Sequence, residues 1–169
     1  MKKINFFLTL LLFLTFVSCS KEEKVQSKIT EKSLNLQVLK AYEDGLSSLK
    51  KGDVLYAAQK FHEAEILFPQ SEWAPKSSLM AAYAYYSQDY YSDTIRELNR
   101  FIKIYPKDVN LDYAYYLLAI TYYEQIVDEK KDIQSIINAK ETFDFLIKKF
   151  PNTEYALSLI HISEPTRPY

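Results

Sequence analysis

Glycine is almost missing from this chain, with 2 among 169 residues. Phosphate-cradling loops and dinucleotide fingerprints need several glycines where backbone meets ligand, so nucleotide-binding enzymes of those types are excluded. One cysteine and two histidines cannot build a tetrahedral zinc site or an internal disulfide, and no structural metal or other cofactor is expected. An excess of either charge is also lacking. Lys and Arg number 21 against 22 Asp and Glu, which argues against a basic nucleic-acid binder. What is abundant is aromatic surface: 15 Tyr and 10 Phe with hardly any glycine between them favour packed amphipathic helices.

The amino end reads as an export signal. Lys2 and Lys3 precede fourteen residues from Ile4 to Val17 interrupted only by Asn5, Thr9 and Thr15, which is too short to cross a bilayer. The run closes on Phe16-Val17-Ser18-Cys19. That string resembles a bacterial lipobox, with Phe16 where the family pattern has Leu. The resemblance implies cleavage before Cys19, a diacylglycerol on its sulfur and an acylated amine, anchoring the chain to a membrane. Ser20 is not the Asp that resembles an inner-membrane retention signal, which implies outer-membrane sorting on the periplasmic face. We divide the chain into a signal peptide (1–18), a polar tether (19–33), a repeat region (34–157) and an atypical tail (158–169).

From Leu36 onward apolar residues recur at helical spacing, with breaks at Gly52-Asp53, Pro69, Pro106 and Pro151, so the fold class is all-α. Three of the breaks share one phrase: Leu67-Phe68-Pro69, Ile104-Tyr105-Pro106 and Lys149-Phe150-Pro151. At fixed offsets before the prolines stand Ala57, Phe61 and Ala64, then Thr94, Leu98 and Phe101, then Ala139, Phe143 and Leu146. The partner helices carry Ala81, Ala82 and Tyr85, then Leu118, Ala119 and Tyr122, with Gly45 at the small position of the first unit. Small residues let paired helices approach while Phe or Leu fills the neighbour's groove. The pattern resembles tetratricopeptide repeats and predicts a solenoid of antiparallel helix pairs, about three repeats plus a partial fourth. The prolines are 37 and then 45 residues apart, so the third unit carries 8 more, expected as a longer loop or an extended helix end around Asp128–Asp132.

The lipobox, the repeats and the string Val109-Asn110-Leu111-Asp112-Tyr113-Ala114-Tyr115-Tyr116-Leu117-Leu118, followed by Tyr122-Tyr123-Glu124-Gln125, together resemble the BamD lipoproteins of the outer-membrane β-barrel assembly machinery. The resemblance covers the leader and roughly Leu39 to Leu157. Family members have five repeats, which implies that this chain corresponds to the amino-terminal part. The segment from Ser158 to Tyr169, with Pro165 and Pro168 three residues apart, departs from the family pattern and reads as a truncated frame. The resemblance further implies a scaffold, not an enzyme, that meets the carboxy-terminal signals of unfolded outer-membrane proteins and contacts BamA and other subunits of the machinery.

In stacked helix pairs the first helix of each pair lines the concave surface, and its inward offsets select Tyr42, Tyr83, Tyr86, Tyr113, Tyr116 and Tyr123, with Leu79 among them. Tyrosines offer an aromatic plane and a hydroxyl at low entropic cost, which suits capture of an extended peptide. The alternative for each ring is helix packing. Two rival functions are carried alongside. One is an envelope-anchored repeat adaptor for peptidoglycan or division factors. The other is an enzyme using His62, Glu63, Glu65, Asp112 or Glu124, but adjacent helical residues point about 100 degrees apart and cannot readily share a proton. Those groups read as surface charge.

Overall fold

The computed structural model describes residues 31–128 and 133–163. The proposed signal peptide, Cys19, the tether up to residue 30 and the tail from residue 164 lie outside the described residues. Among the described residues seven helices follow one another: α1 (Glu31–Lys50), α2 (Val54–Leu67), α3 (Trp73–Tyr86), α4 (Tyr91–Ile104), α5 (Leu111–Asp128), α6 (Ile133–Lys149) and α7 (Glu154–Ser163). Each packs mainly on its neighbours in sequence, with α1 also touching α3 and α5 touching α7. This is the all-α architecture of stacked tetratricopeptide pairs: α1/α2, α3/α4, α5/α6 and the start of a fourth. Residues 31–33, placed in the tether by sequence, are already helical, and α7 continues past Leu157.

The three proline phrases form the same turn. Phe68, Tyr105 and Phe150 each accept a backbone hydrogen bond at their carbonyl from the residue three further on, Ser71 at 3.0 Å, Asp108 at 3.1 Å and Thr153 at 3.2 Å. Proline at the second position pre-sets the dihedral that such a turn needs. The aromatic before each proline folds back on the core, Phe68 on the first cluster and Tyr105 and Phe150 on the second. At the other end of the second helices, Asp53, directly after Gly52 with its φ of 79°, caps α2 by accepting from the Tyr56 amide. Asp89, with φ of 61°, stands as far before Pro106 as Gly52 stands before Pro69. Aspartate tolerates the left-handed region better than most residues, so it replaces the glycine without changing the turn.

Two buried clusters follow from the repeat offsets. The first joins Val38, Ala41, Ala57, Phe61, Ala64, Ala81 and Ala84; the second joins Leu79, Ala82, Leu98, Phe101, Leu111, Ala114, Leu117 and Leu118. Helix α3 feeds both, Ala81 and Ala84 to one side and Leu79 and Ala82 to the other, because it is sandwiched within the stack. Phe143 is the exception to the buried offsets and is only half-buried. The additional residues of the third unit go into its helices: α5 has 18 residues against 14 in α3, and α6 has 17 against 14 in α4. The extended-helix reading therefore holds, with 129–132 outside the described residues.

Candidate functional site

Tyr83 and Tyr86 on α3, and Tyr113 and Tyr116 on α5, are three residues apart and share a face of their helices. Their ring centroids are 6.5 Å apart within each pair. Tyr155 of α7 joins them, 5.4 Å from Tyr113 and 5.1 Å from Tyr116. Sequence reasoning missed Tyr155, although Glu154-Tyr155 repeats at the start of α7 the acid-tyrosine pair Asp112-Tyr113 at the start of α5. Tyr83 is 37% exposed and Tyr123, seven residues beyond Tyr116, is 47% exposed; Tyr86, Tyr113 and Tyr116 are half-buried.

Tyr42 is not a surface ring. It is 8% exposed and packs edge-on against Phe61 at 5.4 Å and Trp73 at 5.2 Å. The face of α1 that carries Tyr42 packs on Phe61 of α2 and Trp73 of α3, which turns this ring into the first core. Leu79, also assigned to the open face, is likewise in the core, where α3 meets the next pair. Tyr42 still forms the floor of a groove of about 640 Å³ whose sides include Lys76, Met80, Tyr83, Val109 and Tyr113. Val109 is 89% exposed at its rim. Tyr83 and Tyr113 belong to both the groove and the ring cluster, making one continuous aromatic surface.

The Tyr86 and Tyr113 hydroxyls stay protonated. Burial, and then the hydrogen bond that Tyr86 donates to Glu124 Oε1 at 3.0 Å, hold Tyr86 above the ordinary phenol range. Burial pushes Tyr113 up to about 12, aided by Tyr83 and Tyr155. Apolar ring faces and neutral hydroxyls therefore occur together, and such a surface can both pack side chains and hydrogen-bond a main chain.

The opposite helices hold a charged network that includes Glu65 and His62, both read from the sequence as surface charge. Glu65 is 7% and Glu97 4% exposed. Arg100 of α4 grips Glu65 of α2 with two parallel bonds, Nη1 to Oε1 at 2.9 Å and Nη2 to Oε2 at 2.7 Å. It also donates to Ser78 at 2.9 Å and through Nε to Glu97 at 2.9 Å. Tyr105 donates to Glu65 at 2.8 Å, and His62 Nε2 lies 3.2 Å from Glu97 Oε2. Residues 35 apart in sequence meet because the stack sets one second helix beside the next. Glu63, by contrast, is exposed and paired with Lys60 at 2.7 Å, as a surface charge should be. With carboxylates saturated by cations and hydroxyls, the network is suited to joining two repeats, and among the described residues no cluster of His, Cys, Asp and Glu could hold a metal ion.

The His62 imidazole 3.2 Å away, and then the Arg100 guanidinium, outweigh burial and hold the Glu97 carboxyl at about 2, against an ordinary 4.5. A carboxyl depressed on folding stabilises the native state above its ordinary pKa, and that contribution is lost as pH falls toward the depressed value. Thermal melts should therefore show stability falling between about pH 4.5 and pH 2, by roughly 3 kcal/mol from this residue. Glu97→Gln should flatten that part of the profile, and an unaltered slope would contradict the assignment.

A family model described as YfiO, outer membrane lipoprotein, matches residues 35–162, spanning every helix pair and the tyrosine-bearing surface. The chain belongs to this family. YfiO relatives include the outer membrane protein assembly factor BamD of Caulobacter vibrioides, 39% identical over 115 residues, which cover 68% of this chain and 38% of that protein. BamD of Rickettsia prowazekii is 33% identical over 132 residues, covering 78% of this chain and 53% of the relative. BamD of Neisseria meningitidis serogroup B is 28% identical over 166 residues, covering 92% and 61%. The chain thus spans about half the length of the curated relatives it matches.

Proposed function

We propose that this chain is an outer-membrane assembly lipoprotein, held by a lipid on Cys19, whose tyrosine surface captures carboxy-terminal segments of unfolded outer-membrane proteins and passes them to the barrel machinery through BamA. The single observation that carries the capture step is the continuous surface of Tyr83, Tyr86, Tyr113, Tyr116 and Tyr155 opening from the groove over Tyr42. The relatives' printed role in outer membrane protein assembly supports the client class. Terminal segments of barrel proteins are extended and rich in aromatics; ring faces can pack their side chains and neutral hydroxyls can bond their exposed backbone. The reading is of a scaffold, with no reaction assigned to it.

The test is binding of a labelled carboxy-terminal barrel peptide to the full chain. Tyr83→Ala combined with Tyr116→Ala should weaken binding by about 10- to 100-fold, since each aromatic contact is worth roughly 0.5–1.5 kcal/mol. Helical content by circular dichroism should hold, because both rings lie outside the two buried clusters. Affinity equal to that of the parent chain would overturn the groove assignment.

A further inference from the structure

The tyrosine surface is also acidic. Glu124 accepts from Tyr86 at 3.0 Å, while Asp112 and Glu154 both act electrostatically on Tyr155. Among the described residues none of these three carboxylates takes part in an ion pair. This contrasts with Glu65 and Glu97, which are saturated by Arg100 on the other side of the stack. The adjoining groove adds Glu72 and Asp108, and the cation in its lining is Lys76, whose Nζ already rests over Trp73 at 4.6 Å and Tyr42 at 5.3 Å. Among these residues five carboxylates face one ammonium.

Ring faces carry negative quadrupole potential, and carboxylates around them reinforce it. Such a surface attracts a cation that can lie flat on a ring, and repels an acidic segment. Resting on the peptide-capture reading above, we infer that the cluster of Tyr83, Tyr86, Tyr113, Tyr116 and Tyr155, with Glu124, Asp112 and Glu154, seats a basic side chain, best an arginine, of the extended client segment. Neighbouring aromatic side chains of the same segment then occupy the groove over Tyr42 and Met80. The site selects extended segments in which a basic residue accompanies aromatics.

Two synthetic peptides of about ten residues decide this, both with aromatics at alternate positions, one carrying Arg and the other Gln at an intervening position. Fluorescence anisotropy with the full chain should show the Arg peptide binding about 10-fold more tightly at low salt, with the gap narrowing as salt screens it. Glu124→Gln keeps an oxygen for the Tyr86 hydroxyl and removes only charge. Combined with Asp112→Asn it should abolish most of the Arg preference, bringing the Arg peptide's affinity toward that of the Gln peptide. Equal binding of both peptides, or a preference that survives the double substitution, overturns the basic-residue seat and leaves peptide capture standing. Failure of both peptides to bind overturns both readings.

Discussion

Arg100→Met is expected to lower the unfolding free energy by about 3 kcal/mol, the lower end of the range for breaking a buried ion pair, because the arginine side chain retains 33% exposure. The methionine keeps the aliphatic stem, so the loss comes from stranding Glu65 and Glu97. Glu65 would be left with the Tyr105 hydroxyl, and Glu97 with His62 and the longer Arg96 contact at 3.5 Å. Arg100→Lys should recover little, since an ammonium cannot reproduce the two-pronged grip on Glu65 and still reach Glu97. Adding Glu65→Gln to Arg100→Met should restore part of the loss by removing a stranded charge. Chemical denaturation of the three variants checks the order, and a neutral Arg100→Met would show that the network does not join the repeats.

Gly45→Leu is expected to cost about 3–5 kcal/mol or abolish folding of the first repeat, by forcing a large side chain into a filled site. Even a single added Cβ would lie 2.8 Å from Phe61 Cε1 and 2.9 Å from Cδ1, inside van der Waals contact, and Phe61 is fully buried. Alanine here sets two effects against each other: about 1 kcal/mol of helix propensity gained and about 1–3 kcal/mol of overpacking lost. Gly45→Ala should therefore destabilise the parent chain but stabilise a Phe61→Leu background, where the ring is gone. Denaturation midpoints for this double-mutant cycle would show the reversal of sign, and additivity would refute the contact.

Both predictions bear on what could be read without coordinates. Gly45 opposite Phe61 was legible, since small-against-large at fixed offsets is how a repeat writes its own packing. The helix breaks at Pro69, Pro106 and Pro151 were equally plain, because proline restricts its own φ and its predecessor's backbone. Which tyrosines would remain open was not. Tyr42 and Tyr83 occupy comparable faces of first helices, yet Tyr42 is covered by Phe61 and Trp73 and Tyr83 is not. Glu65 looked like any helical surface acid, and its burial depends on an arginine 35 residues away.

The sequence by itself determined the helical class, the breaks between helices and the repeat cores, because each is written within one or two turns of chain. The tertiary structure alone decided that Tyr155 completes the aromatic surface, that Tyr42 underlies it, and that Arg100 clasps Glu65 between repeats. Those outcomes depend on how one helix pair is set against the next. That setting is a sum of many weak contacts between residues far apart in the chain, and no local pattern encodes it.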